Sequence, residues 1–317
     1  MNSSFRPPEL SVVLPTDTYE TIEPVLTKLR QQTIALGIEV ILVAPFAKTL
    51  APASRYESDF AALRSIEAPS IVPLGIPRAT GIRAANAPFV FVGETHSFLH
   101  NDAAEKLLAT AVDGGWDGVT PGFENGNPNG VMSWSAFLTA YGRWSATGPA
   151  SEIKEAPLYD TLYRREVLME IGEELAPMLS FGDDLRRALQ ARGRRLYFCP
   201  TARIDHLNIA RVRPWLHEHF LIGLMIGSQR ARSWPWWRRF GYIAGAWLIP
   251  LILFRRCWTE VQQAAKALAL PATTLPAVLL AFTVKAAGEL VGYLGGGSSK
   301  DLTAMVNYEV RRIDYIA

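Results

Sequence analysis

The sequence predicts an α/β fold built on a parallel sheet, followed by a separate apolar helical region. Three observations predict it. Short uncharged runs of strand length alternate with helical apolar periods, polar residues follow those runs directly, and Trp and Arg crowd into the last third. Alternation of this kind makes βαβ units, whose ligands sit beyond the carboxyl ends of the strands.

The elements follow in order. Leu10–Leu14 (LSVVL) and Val40–Ala44 (VILVA) are buried-strand runs. Between them, residues 21–36 carry the helical period Ile22, Val25, Leu26, Leu29. Val90–Val92 is a third strand, followed by a helix over Ala103–Val112. A helix over Asp184–Ala191 and short strands around Leu196–Cys199 and Ala202–Ile204 close this part. Gly295–Ser299 (GGGSS) reads as a linker to a final polar helix. The chain thus divides into residues 1–228, 229–294 and 295–317.

Composition separates these regions. The 317 residues carry 32 basic and 30 acidic groups, a balance that argues against a protein built to coat nucleic acid. Two cysteines, Cys199 and Cys257, make neither a disulfide framework nor a zinc-thiolate cluster. Six of the nine tryptophans lie beyond residue 210, and Ser228–Lys300 holds nine Lys or Arg against two acids. Within it, Phe240–Phe254 is uncharged and bracketed by Arg238, Arg239, Arg255 and Arg256. Trp and Arg at the ends of an apolar run suit a membrane interface. Fifteen helical residues reach ~22 Å, short of the ~30 Å hydrocarbon core. With the second apolar stretch, Ala267–Val284, this favours a monotopic or re-entrant hairpin over a clean span; a buried helical subdomain or an oligomer interface is the bland alternative. The start, MNSSFRPPEL, lacks an apolar h-region, so no cleavable signal peptide is expected and the first part is expected in the cytoplasm.

Polar residues after strands are where chemistry is sought. Thr16 and Asp17 follow the first strand, where capping the next helix is the commoner role. Glu94 and His96 follow the third, spaced to share one metal ion. Asp183 and Asp184 open a helix, where the macrodipole favours carboxylates; one could serve as a cap and the other as a general base. His206 follows a short strand, and a lone His is more often structural than a ligand.

As an ordered set these residues resemble the inverting family-two glycosyltransferases of the GT-A fold. SVVLPTDTYETIEPVLTKLRQQT with IEVILVA looks like their opening strand–helix–strand, and Arg78-Ala-Thr-Gly81 like their Arg-x-x-Gly helix. Glu94-Thr95-His96 stands where Asp-x-Asp is usual, similar to a bacterial membrane-associated branch with a Glu-x-His motif. Glu124–Pro128, Trp134 to Trp144, Tyr163–Glu166 and Arg192–Tyr197 fit that branch too. Polypeptide N-acetylgalactosaminyltransferases, on the same fold, use Asp-x-His and a later His for manganese.

The resemblance implies a doubly wound mixed sheet flanked by helices, with the apolar helical region after it. It implies Glu94, His96 and His206 as ligands of Mn²⁺ or Mg²⁺, and Asp183 as general base with Asp184 as runner-up. Arg78 would sit near the diphosphate, with Thr16 and Asp17 at the nucleobase end; Glu94 would also meet the donor, a nucleotide sugar and most readily a UDP-sugar. Glu124, Asn125, Trp134, Trp144 and Asp160 would line the acceptor side, where sugar stacking on Trp134 or Trp144 competes evenly with core packing. The acceptor would be a glycan or lipid-linked glycan, on the cytoplasmic face of the inner (plasma) membrane. Self-association stays open. Where most relatives carry a base-reading Asp after the second strand, this chain has Ala44-Pro45. Two rivals follow: a catalytically degenerate GT-A scaffold in a polysaccharide assembly complex, and a nucleotidyltransferase. The second needs a Gly-rich basic loop after the first strand, which Pro15–Glu20 lacks.

Overall fold

The computed structural model describes residues 7–180 and 183–317. In chain order the elements begin with β1 (Leu10–Pro15), α1 (Tyr19–Leu29), β2 (Ile38–Ala44), β3 (Ala62–Glu67), α2 (Gly75–Ala84) and β4 (Phe89–Val92). They continue with β5 (Ser97–Leu99), α3 (Ala103–Gly114), β6 (Gly118–Asn125), α4 (Val131–Tyr141), β7 (Ser151–Ile153) and β8 (Thr161–Arg164). Then come α5 (Arg165–Met169), α6 (Leu175–Met178), α7 (Asp184–Ala191) and β9 (Leu196–His206). The chain ends in α8 (Val212–Ser233), α9 (Trp236–Ala244), α10 (Ile249–Ala267), α11 (Thr274–Gly295) and α12 (Ser299–Val310).

These elements form two compact units: residues 1–124 with 149–205, and residues 125–148 with 206–317. The boundary expected at residue 228 falls inside α8, which runs unbroken through it.

The first unit is a mixed sheet in the order β3-β2-β1-β4-β8-β6-β9-β5, with β7 paired to β9. β3, β2, β1 and β4 are mutually parallel, and β8 turns the sheet antiparallel against β4 and β6. β1, β2 and β4 are buried along their whole length, which is why they read as unbroken apolar runs. Val13, Ile41, Val43, Val90 and Val92 form one core with Ile82 of α2 and Leu168 of α5. α2 lies tight on this sheet because Gly81 has no Cβ to meet Val13 and Val43. The chain leaves β1 toward β2 on one side while β4 lies on the other, so the strand order reverses between β1 and β4. Ligands of open α/β sheets bind at such a switch point.

Two expected elements differ. The helix expected over 21–36 stops at Leu29, because Gln32 turns inward. Its amide donates to the carbonyls of Leu99 and His100 (3.2 and 2.9 Å) and accepts from the Ala104 amide (3.0 Å). The two short strands expected around 196–204 are one strand, since Pro200 removes a single donor without breaking extended backbone.

In the second unit, α8 packs on α11 through glycines on both helices. Gly223 and Gly227 meet the backbone at Lys285 and Glu289, and Gly288 and Gly292 meet the backbone at Phe220 and Leu224. The buried Glu289 carboxylate is paired with Arg230 (3.0 Å) and accepts from the Tyr293 hydroxyl (3.0 Å). Arg312 holds Glu218 at 2.7 Å and Glu309 at 2.8 Å. The Phe240–Phe254 run is broken rather than continuous: α9 and the segment from Ala246 meet at 56°. Trp236, Trp237, Phe240 and Trp247 stand 77, 63, 65 and 71% exposed. Among the described residues, α11 alone is by itself long and apolar enough to cross a membrane, and half of that stretch is buried within the protein.

Candidate active site

The turn after β4 carries Glu94 and His96, each side chain 1% exposed, with Oε2 and Nε2 3.4 Å apart. It follows the inner parallel strand at the switch point, so the pair stands on the edge where ligands of such sheets bind. Arg78 of α2 approaches from behind: Nη2 lies 3.7 Å from Glu94 Oε1. Its guanidinium also stacks 3.2 Å from the centre of the Tyr159 ring, and Nη1 donates to the Leu179 carbonyl at 3.4 Å. The arginine is therefore buried and braces Glu94. A carboxylate oxygen and an imidazole nitrogen are hard-to-borderline donors suited to Mn²⁺ or Mg²⁺, so this pair fits half of a divalent site.

Asp160 joins the same turn. It is fully buried, its backbone sits in the left-handed region (φ 53°), and its Oδ2 accepts from Ser97 Oγ at 2.5 Å. Its amide donates to the Val92 carbonyl at 2.7 Å, fixing it to the end of β4. A non-glycine residue held at positive φ inside a core marks a constrained position. Expected on the acceptor side by resemblance, it lies against Ser97, the residue following His96.

At the other expected positions the local role is visible. Thr16 is buried and donates to the Thr18 carbonyl (3.0 Å), and Asp17 Oδ1 accepts from the Thr18 amide (2.8 Å) and the Thr21 hydroxyl (2.7 Å). Both side chains thus organise the start of α1. Asp183 precedes α7, half-exposed and 3.3 Å from Arg186, and Asp184 pairs with Arg187. Phe181 and Gly182, which precede them in the sequence, lie outside the described residues.

In the second unit, His206 is buried, with Nδ1 3.2 Å from Asn208 Oδ1 and its ring centre 4.3 Å from that of Tyr141. Burial, with the Arg312 charge behind it, pushes its pKa down to about 3, so the ring is neutral and able to offer a lone pair. Asn125 Oδ1 accepts from Ser133 Oγ and Asn208 Nδ2, both at 3.0 Å. Trp134 packs edge-on against Phe137 (5.8 Å), and Trp144 lies 5.6 Å from the Arg143 guanidinium.

A second cluster escaped sequence reasoning. His100, Glu124 and Asp205 come together at neighbouring strands β5, β6 and β9, their donor atoms within 4.8 Å of one another. His100 Nε2 lies 3.6 Å from Glu124 and 3.3 Å from Asp205, and Arg203 holds the other Glu124 oxygen at 3.2 Å. Glu124 thus belongs to an open ion-pair group of the first unit. No local pattern joins residues from three strands; only the strand order does.

No family model matches the chain, and no curated protein sequence does. Among solved structures, residues 1–349 of Staphylococcus aureus TarS in complex with UDP align with 95% of this chain and 91% of that one, at a TM-score of 0.50 and 17% identity. TarS is a GT-A-type glycosyltransferase. The fold is GT-A. The same TarS fragment with UDP-GlcNAc matches with a TM-score of 0.47 at 15% identity over the same shares. GalNAc-T7 with UDP, GalNAc and Mn²⁺ matches 64% of this chain and 44% of its own, with a TM-score of 0.49 at 14% identity. At 17% identity the first of these likenesses speaks for the fold alone.

Proposed function

We propose that this chain is a nucleotide-sugar-dependent glycosyltransferase that moves a sugar, with inversion, from a UDP-sugar to a glycan or lipid-linked acceptor. The observation that carries the reading is the sealed Glu94–His96 pair at the switch point of a GT-A sheet, braced by Arg78. Glu94 and His96 would hold Mn²⁺ or Mg²⁺ with His206, the third ligand implied by the family resemblance. When bound, the ion supplies Lewis-acid neutralisation of the departing diphosphate.

The chain's own residues do the rest. Arg78 keeps the Glu94 carboxylate oriented from 3.7 Å. Asp183 is the general base that takes the acceptor hydroxyl proton, and attack from its side inverts the anomeric centre. Asp184 is the alternative base. Glu124, Asn125, Trp134, Trp144 and Asp160 remain the proposed acceptor-side residues. The exposed Trp236, Trp237, Phe240 and Trp247 support docking on the cytoplasmic face of the inner membrane, because rings of this kind favour the headgroup level. That location would bring a lipid-linked acceptor to the enzyme.

Nucleotide release from UDP-, GDP- and dTDP-sugars, with and without Mn²⁺ or Mg²⁺, tests the reading. Turnover of one donor should require the metal, fall by about 100-fold or more in Asp183→Asn, and lose metal affinity in His206→Ala. Intact, metal-dependent turnover in both variants would overturn the assigned roles. A specific observation favours the degenerate scaffold as second reading: both helix-start carboxylates are engaged by arginines of their own helix. That reading expects no nucleotide release from any donor.

A further inference from the structure

After β1, Thr16 Oγ1 and Asp17 Oδ1 already hold the start of α1. The neighbouring strand end contributes no polar side chain. In the parallel register Pro15 pairs with Val43, so Thr16 stands beside Ala44, which is followed by Pro45. The Thr16 amide donates to the Val43 carbonyl (3.0 Å), and the Ala68 amide to the Ala44 carbonyl (2.9 Å), which closes this edge with backbone bonds.

The next residue is Phe46, 69% exposed. Its backbone is fixed to the first loop: Thr49 Oγ1 lies 2.7 Å from the Phe46 carbonyl oxygen and 3.3 Å from that of Asp17. Among the described large apolar residues of the first unit, Leu36 and Val112 are comparably exposed at 71 and 59%. Leu36 precedes β2 and Val112 lies within α3, away from strand carboxyl ends. Phe46 is therefore the exposed aromatic of this unit that stands on the ligand edge of the sheet. A single exposed apolar side chain needs no explanation on a general surface. Here its position supplies one, because ligands gather outside the carboxyl ends of such strands.

We infer that Phe46 is the base-stacking residue for a bound nucleoside diphosphate, taking over by ring contact what a carboxylate after β2 would do by hydrogen bonding. The inference rests on the glycosyltransferase reading and deepens its donor end. Every base has a π face, so stacking is tolerant of base identity. Uracil and guanine nucleotides should accordingly both depend on this ring.

The test is calorimetric titration of the full chain, in Mn²⁺, with UDP, GDP and inorganic pyrophosphate. The proteins are the parent, Phe46→Ala and Phe46→Trp. Phe46→Ala should bind UDP and GDP about tenfold more weakly, Phe46→Trp should keep parental affinity, and pyrophosphate should bind all three alike. Parental UDP affinity in Phe46→Ala would overturn the stacking role and leave the enzyme reading standing. An equal loss for pyrophosphate would also overturn it, since the ring would then act through loop structure. Failure of the parent protein to bind either nucleotide would remove the glycosyltransferase reading and this inference with it.

Discussion

The first unit contains the same donor types assembled twice, with opposite exposure. Glu94 and His96 are 1% exposed, whereas the side chains of His100, Glu124 and Asp205 are 35, 34 and 41% exposed. Each group has an arginine: Arg78, almost wholly buried beside Glu94, and Arg203, 54% exposed beside Glu124. The difference teaches that composition does not make a site. In the open group water screens every pair, so the charges tolerate one another at little gain or cost. In the sealed group each charge needs its partner, and the geometry is held because losing it is expensive.

Removing the guanidinium is the harshest way to break this comparison. Arg78→Met should destabilise the fold by about 3 kcal/mol in denaturant unfolding, because Glu94 would be left buried beside an apolar chain. Arg203→Met should stay within about 0.5 kcal/mol. Next in size, Glu94→Gln should lower donor turnover about 100-fold, while Arg203→Gln, in the open group, should leave it unchanged in the same nucleotide-release assay.

Buried histidine carries the contrast into the second unit. His219 sits between the Trp215 carbonyl (2.9 Å) and Thr139 Oγ1 (3.4 Å), and burial holds its pKa below the ordinary 6.5 despite nearby Glu218. The unfolded chain therefore takes up this proton first as pH falls. Stability from the neutral ring is complete above pH 6.5 and is lost below it, toward the lowered folded value, by at most ~1.4 kcal/mol per pH unit. Unfolding of the parent and His219→Gln at pH 7.5 and 5.5 should show a shallower loss in the variant. The smallest effect belongs to the open cluster: His100→Ala should shift unfolding by under about 0.5 kcal/mol.

The contrast also explains what could be read in advance. β1, β2 and β4 were legible because strands buried on both faces must be apolar throughout, and α7 because Leu185, Ala188 and Leu189 share one face. β6 (GVTPGFEN) was not, since Pro121 and Gly122 resemble a turn until neighbouring strands supply the pairing. β3 alternates poorly and is half-exposed at the sheet edge. For the site, Glu94 and His96 were legible from two-residue spacing after a strand. Gln32, Tyr159 and the His100 cluster were not, because their partners are distant in sequence and only tertiary packing introduces them.

The glycines between α8 and α11 have a consequence for how this chain can change over time. At Gly223, Gly227, Gly288 and Gly292 a single added methyl meets backbone, not a side chain that could swing aside. Adaptation by small steps is closed at those four positions, so the helix pair must be inherited whole. The exposed rings of α9 face no such barrier. Drift should therefore accumulate on the outer surface of the second unit while its central crossing stays fixed, leaving one half of the same region free to follow a changing environment.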